Sequence, residues 1–129
     1  MRQDNIALMR RGYDAFTSGD LDTIRSMAHS DEVWVTPGMG EFKREYRGVD
    51  DVIGYLAQLV ANTDGTFKDE PVAFFGDDEH VVVLEHVTAA REGRSLDSQF
   101  VHVYDMRDGK ISRVTEYAAD PHAVEAFWA

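Results

Sequence analysis

Apolar positions recur at helical spacing in the first half of the chain and fall into strand-like runs in the second. Ile6, Met9, Tyr13 and Phe16 form one stripe and predict a helix from about Gln3 to Thr17. Gly19 suits the position just past its end. Asp20 is placed to cap a second short helix with Leu21, Ile24 and Met27 inward, closed by His29-Ser30-Asp31. Glu32 to Thr36 is β-branched and aromatic and predicts a strand, stopped by Pro37-Gly38. Pro37 to Gly48 reads as a long loop. Asp50 and Asp51 sit where a helix N-terminus favours negative charge, and Val52, Ile53, Leu56, Leu59 and Val60 predict a third helix ending near residues 62–65. Thr66–Phe75, His80–Ala90, Leu96–Met106 and Lys110–Ala118 then predict four strands. Arg107-Asp-Gly-Lys110 is a strong hairpin signal, because a type I′ turn needs positive φ at both central residues. Asp120-Pro121 opens a short terminal helix whose Phe127 and Trp128 require burial.

This order predicts an α+β fold with helices on one face of an antiparallel sheet. At 129 residues, scaling gives a folded area of roughly 7,000 Å² against roughly 21,000 Å² unfolded, enough for one core and a single domain over residues 1–129. The net charge of −11 argues against nucleic acid and anionic membrane surfaces as partners. With no cysteine, disulfides and thiolate chemistry are excluded, which fits a reducing, cytoplasmic location. No apolar run reaches the length of a membrane span, and the charged start lacks the form of a signal peptide. There is no phosphate-binding glycine loop and no serine nucleophile elbow. The scattered histidines lack zinc-ligand spacing, so neither a metal nor a cofactor is expected.

Several local strings occur together in one order: Tyr13-Asp-Ala-Phe-Thr-Ser-Gly-Asp-Leu-Asp-Thr-Ile24, Val33-Trp-Val-Thr-Pro-Gly38, Tyr46-Arg-Gly-Val-Asp-Asp-Val52 and Arg107-Asp-Gly-Lys-Ile111. As a set they resemble the nuclear transport factor 2-like superfamily, nearest its SnoaL-like and ketosteroid isomerase-like branch. The resemblance implies a cone-shaped fold, in which a curved mixed or antiparallel sheet and its covering helices enclose a central apolar pocket. It also implies a homodimer through the convex sheet face. The catalytic positions of ketosteroid isomerase are not matched, since its base falls on Thr36, its donor Asp on Gln99 and its donor Tyr on Gly12, beside Tyr13.

Strand register decides which residues face the pocket. A two-residue turn at Asp108-Gly109 sets Val101 opposite Glu116, and a three-residue turn from Glu92 to Arg94 sets Glu85 opposite Val101. Under that register Glu85, Val101 and Glu116 form one row, with Gln99 on the same face and His86, Phe100, His102 and Tyr117 on the other. The apolar set of the Leu96–Met106 strand falls on even positions, which left alone places that set inward and Gln99 outward. A reversed register would bring His86 and His102 forward instead.

Two carboxylates facing an apolar pocket raise one another's pKa, which suits general acid/base work. Glu116 is the expected proton-transfer group, Glu85 its tuner, and Gln99 and Tyr13 the donors to a developing oxyanion. Phe16, Trp34, Thr36, Tyr55, Val87, Val101 and Val114 are the expected substrate-lining residues, and Pro37–Gly48 suits a mobile lid. The expected function is cofactor-independent acid/base chemistry of isomerase, cyclase or lyase type on a small apolar, carbonyl-bearing molecule. The alternative is a non-catalytic ligand-binding or protein-association module of the same fold.

Overall fold

A computed structural model describes residues 2–129. In chain order it contains α1 (Arg2–Ser18), α2 (Leu21–Ser26), β1 (Ala28–Val35), β2 (Glu45–Arg47), α3 (Val49–Ala61), β3 (Lys68–Gly76), β4 (His80–Arg91), β5 (Arg94–Arg107), β6 (Lys110–Ala118) and α4 (Pro121–Trp128). The caps follow side-chain chemistry. Asp20 accepts from the Thr23 amide to open α2, and Asp120 accepts from the Ala123 amide to open α4. The six strands form one mixed sheet in the order β2-β1-β6-β5-β4-β3, antiparallel except where β1 runs parallel to β6. Helices α1, α3 and α4 pack on one face of it, giving the α+β, cone-like arrangement. Val81, Val83 and Val114 have no exposed area, and each such side chain contributes roughly 1.5–3 kcal/mol by leaving water.

Two boundaries differ from expectation. β1 begins at Ala28 rather than Glu32, because the Ile111 amide already bonds to the Met27 carbonyl at 3.0 Å. The segment expected to be a plain loop contains β2, an edge strand paired to β1 through Trp34 and Tyr46.

The registers differ as well, and this repositions a whole strand. Glu92 and Gly93 both have positive φ, so the β4–β5 turn has two residues, not three, and Arg91 faces Arg94. The β5–β6 hairpin does begin with Arg107 opposite Lys110, but β6 then carries an extra residue, Ser112, whose hydroxyl donates to the Asp105 carbonyl at 3.1 Å. Beyond that bulge His102, not Val101, faces Glu116. Each correction is one residue. Between β4 and β6 the two cancel, so Glu85 and Glu116 do share the inner face. β5 lies between them and is inverted: Phe100, His102 and Tyr104 point inward and are buried, while Gln99 and Val101 lie on the outer face.

Candidate functional site

The inner face of the sheet, the helices and the loop after β1 surround a cavity of about 100 Å³. One water needs roughly 10–15 Å³ on that scale, so the space accepts more than solvent. Most of its wall is apolar or aromatic, and its polar groups are few: Tyr13, Glu32, Thr36, Asp69, His102, Tyr104, Glu116 and the hydroxyl of Tyr55.

His102 is central among them. Its Nδ1 is in direct contact with Glu85, and its Nε2 lies 3.3 Å from Oε1 of Glu116. Burial alone lowers the pKa of the ring, but the close charges of Glu85 and Glu116 outweigh it. His102 is therefore held well above the usual histidine range, as an imidazolium between two carboxylates. Glu85 is pushed up by burial but pulled further down by the adjoining His102 charge and by the neighbouring Asp69 and Tyr13 side chains, so it stays ionised. Asp69 is raised by burial and by its contact with Glu85, so it keeps the proton that two adjoining carboxyls share.

Glu116 is held from one side only. Its Oε1 accepts from Trp34 Nε1 at 3.1 Å and from the Tyr55 hydroxyl at 3.0 Å, on the same oxygen that His102 approaches. Among the described residues Oε2 has no partner, although Glu116 lines the cavity. The Tyr13 and Tyr104 hydroxyls are 2.8 Å apart, and Tyr13 is 3.4 Å from His102 Nδ1. Burial first, then neighbouring charges, pushes both phenols well above their usual pKa, so they remain neutral donors.

The expected site residues divide clearly by position. Tyr13, Phe16, Trp34, Thr36, Tyr55, Val87 and Glu116 line the cavity. Glu85 is fully buried behind His102 rather than at the cavity wall, and Val114 is buried beneath Trp34 in the β1–β6 pairing. Gln99 and Val101 do not reach the cavity, because β5 is turned the other way. His86 and His102 do not meet. His86 bonds Asp97 at 2.6 Å on the outer side, half exposed. The Thr36 hydroxyl is committed to the loop that follows it, donating to the Lys43 carbonyl at 2.6 Å and accepting from the Gly38 amide at 2.9 Å. That loop is docked, with Phe42 buried edge-to-face against Tyr55 and Trp128.

The sequence reading missed Tyr104, Asp69 and Glu32 and placed His102 on the wrong face. For His102 and Tyr104 the signal was present: they belong to the apolar even-numbered set of β5. Glu32 shares strand parity with Trp34 and Thr36. Asp69 carried no local signal; only its pairing with Val87 turns it inward. The only grouping of three or more metal-ligand side chains among the described residues is Asp69, Glu85 and His102, with ligand atoms within 4.8 Å of one another. Two carboxylates and an imidazole suit a divalent transition metal. In this structure the same atoms pair with each other.

The sequence matches the SnoaL-like domain family over residues 9–114. Uncharacterised proteins of Mycobacterium tuberculosis and Mycobacterium bovis are 32% identical to it over 126 residues, 97% of this chain and 96% of theirs. Among solved structures, Bal32a from a soil-derived mobile gene cassette is 28% identical, covers 98% of both chains and superposes with a TM-score of 0.95. TerC, co-crystallised with polyporic acid, is 26% identical over 97% of this chain and 98% of its own, with a TM-score of 0.85.

Proposed function

We propose that this chain, which belongs to the SnoaL-like family of the nuclear transport factor 2-like fold, is a cofactor-independent enzyme that moves protons on a small, largely apolar ring compound bearing carbonyl or hydroxyl oxygen. The observation that carries this reading is Glu116, which lines the cavity with one oxygen held by Trp34, Tyr55 and the His102 charge and the other without a partner among the described residues. Two hydrogen-bond donors and the adjacent imidazolium fix the carboxylate in place without engaging its second oxygen. That oxygen is positioned to take a proton from carbon beside a substrate carbonyl. Negative charge then develops on the carbonyl oxygen, and the neutral Tyr13–Tyr104 pair supplies a donor for it. The negative charge thus passes from Glu116 to the substrate oxygen, the His102 imidazolium lies near both Glu116 and Tyr13, and Glu85 positions His102 from behind. TerC was crystallised with polyporic acid, and an oxygenated ring ligand of that kind suits the aromatic lining here.

The fold places a second apolar surface on the outer sheet face, where Leu84, Val101 and Tyr117 form a cross-strand row with Phe75 nearby. A homodimer through that face is part of the same proposal.

Binding of polyporic acid and simpler hydroxyquinones is measured by quenching of Trp34 and Trp128, both at the cavity wall. Proton exchange next to the carbonyl of cyclic ketones is then followed by NMR in deuterated water. Glu116→Gln is expected to reduce exchange by roughly 100- to 10,000-fold with binding little changed. Binding without exchange in the wild-type protein would overturn the enzymatic reading and leave a ligand-binding module.

A further inference from the structure

Glu32 takes no part in the proton-transfer cluster, yet it lines the same cavity and is only 3% exposed. It lies inside the irregular stretch of β1, where the strand advances from Ala28 to Val33 while β6 advances only from Ile111 to Arg113. Such a bulge re-aims side chains. Here Glu32 lines a cavity whose wall also includes the apolar Ile24, Met27 and Ile111. Among the described residues no donor or cation reaches that carboxyl, and burial alone sets its state, pushing its pKa up to about 8. A buried polar group without a partner is costly, and folded proteins keep few of them without a use.

The parallel register locates it. Val35 pairs with Thr115, so Thr36 is level with Glu116, and Glu32 lies four residues back on the same face. That is about 13 Å of strand. The cavity therefore has a proton-transfer group at one level and an unpartnered carboxyl at another.

We propose that Glu32 is a second ligand anchor, whose carboxyl donates a hydrogen bond to a carbonyl or hydroxyl oxygen at the end of the ring ligand remote from Glu116. The ligand class is then an apolar ring skeleton oxygenated at both ends. This rests on the reading of the cavity as a ligand site, but not on catalysis there.

The test compares 4,4′-dihydroxybiphenyl with 4-phenylphenol, by calorimetry at pH 6.5, on wild type, Glu32→Gln and Glu32→Leu. Wild type is expected to bind the diphenol about 3- to 10-fold more tightly, the equivalent of one net hydrogen bond. Gln keeps a donor and is expected to keep the preference; Leu is expected to abolish it. Leu is also expected to raise Tm, since it removes a buried unpartnered carboxyl from an apolar wall. Equal binding of the two compounds to wild type, or a preference that survives in Glu32→Leu, overturns the anchor alone. A lower Tm for Glu32→Leu makes Glu32 structural and overturns it too. Failure of both compounds to bind overturns the ligand-site reading itself, and the anchor with it.

Discussion

At the scale of single residues, charge state in this cavity is set by contact rather than by residue type. Asp69, Glu85, Glu116 and Glu32 are all acidic, but their surroundings differ. Asp69 keeps a proton because burial and Glu85 oppose its charge, whereas Glu85 loses its own because it touches the His102 ring. Glu32 keeps its proton through burial alone. For His102 the folded-state pKa stands above the unfolded value of 6.5. Its contribution to stability is thus fully present below pH 6.5 and is lost as pH rises through the folded value. Glu85→Gln removes one of the two carboxylates facing the ring, leaving Glu116. The His102 titration, followed by carbon-detected NMR of the ring, is expected to fall toward its ordinary value, and the loss of stability above pH 6.5 to be smaller and complete at a lower pH. An unmoved midpoint would show that Glu85 does not hold the charge.

At the scale of elements, the loop between β1 and β2 is a clasp as much as a cover. Thr36 ties its base, and the amide of Thr36 donates to the Arg44 carbonyl at 2.8 Å. Gly40 permits the closest approach to main chain. Its φ is +60°, and a Cβ there would lie 2.4 Å from the Trp128 carbonyl oxygen. Any other residue faces both backbone strain and a clash with main chain that cannot move aside cheaply. Gly40→Ala is expected to cost roughly 1–3 kcal/mol of unfolding free energy in urea and to expose the Trp128 ring to quenchers. No loss of stability would mean that the loop is not docked in solution.

At the scale of the whole molecule, the two faces of the sheet do different work. The inner face carries the cavity and its ionisable cluster. The outer face carries exposed apolar side chains, with Phe75 at 56% and Tyr117 at 55% exposure, on a chain of net charge −11. Exposed apolar surface of this kind on a sheet marks association. The proposed homodimer is expected to sediment as a dimer, and Tyr117→Lys to shift it toward monomer while the His102 titration stays in place. A wild-type protein that sediments as a monomer at high concentration removes the dimer from the proposal. No helix among the described residues is long and apolar enough to cross a membrane.

Much of the architecture was legible along the chain. Local chemistry writes itself into short windows: the stripe on α1, the Asp caps of α2 and α4, and the Asp108-Gly109 turn are each specified by neighbours in sequence. The inward set of Tyr13, Trp34, Tyr55 and Glu116 followed from such windows joined to a family resemblance. What only the tertiary structure decided is the facing of β5. Its orientation depends on the length of one turn and on an extra residue at Ser112, and a strand's side chains alternate with a period of two. A one-residue shift in either hairpin therefore exchanges the inner and outer sets. The two shifts cancel between β4 and β6, so Glu85 and Glu116 face the interior under either register. The strand between them turns over, which sends Gln99 and Val101 outward and brings His102 between two carboxylates.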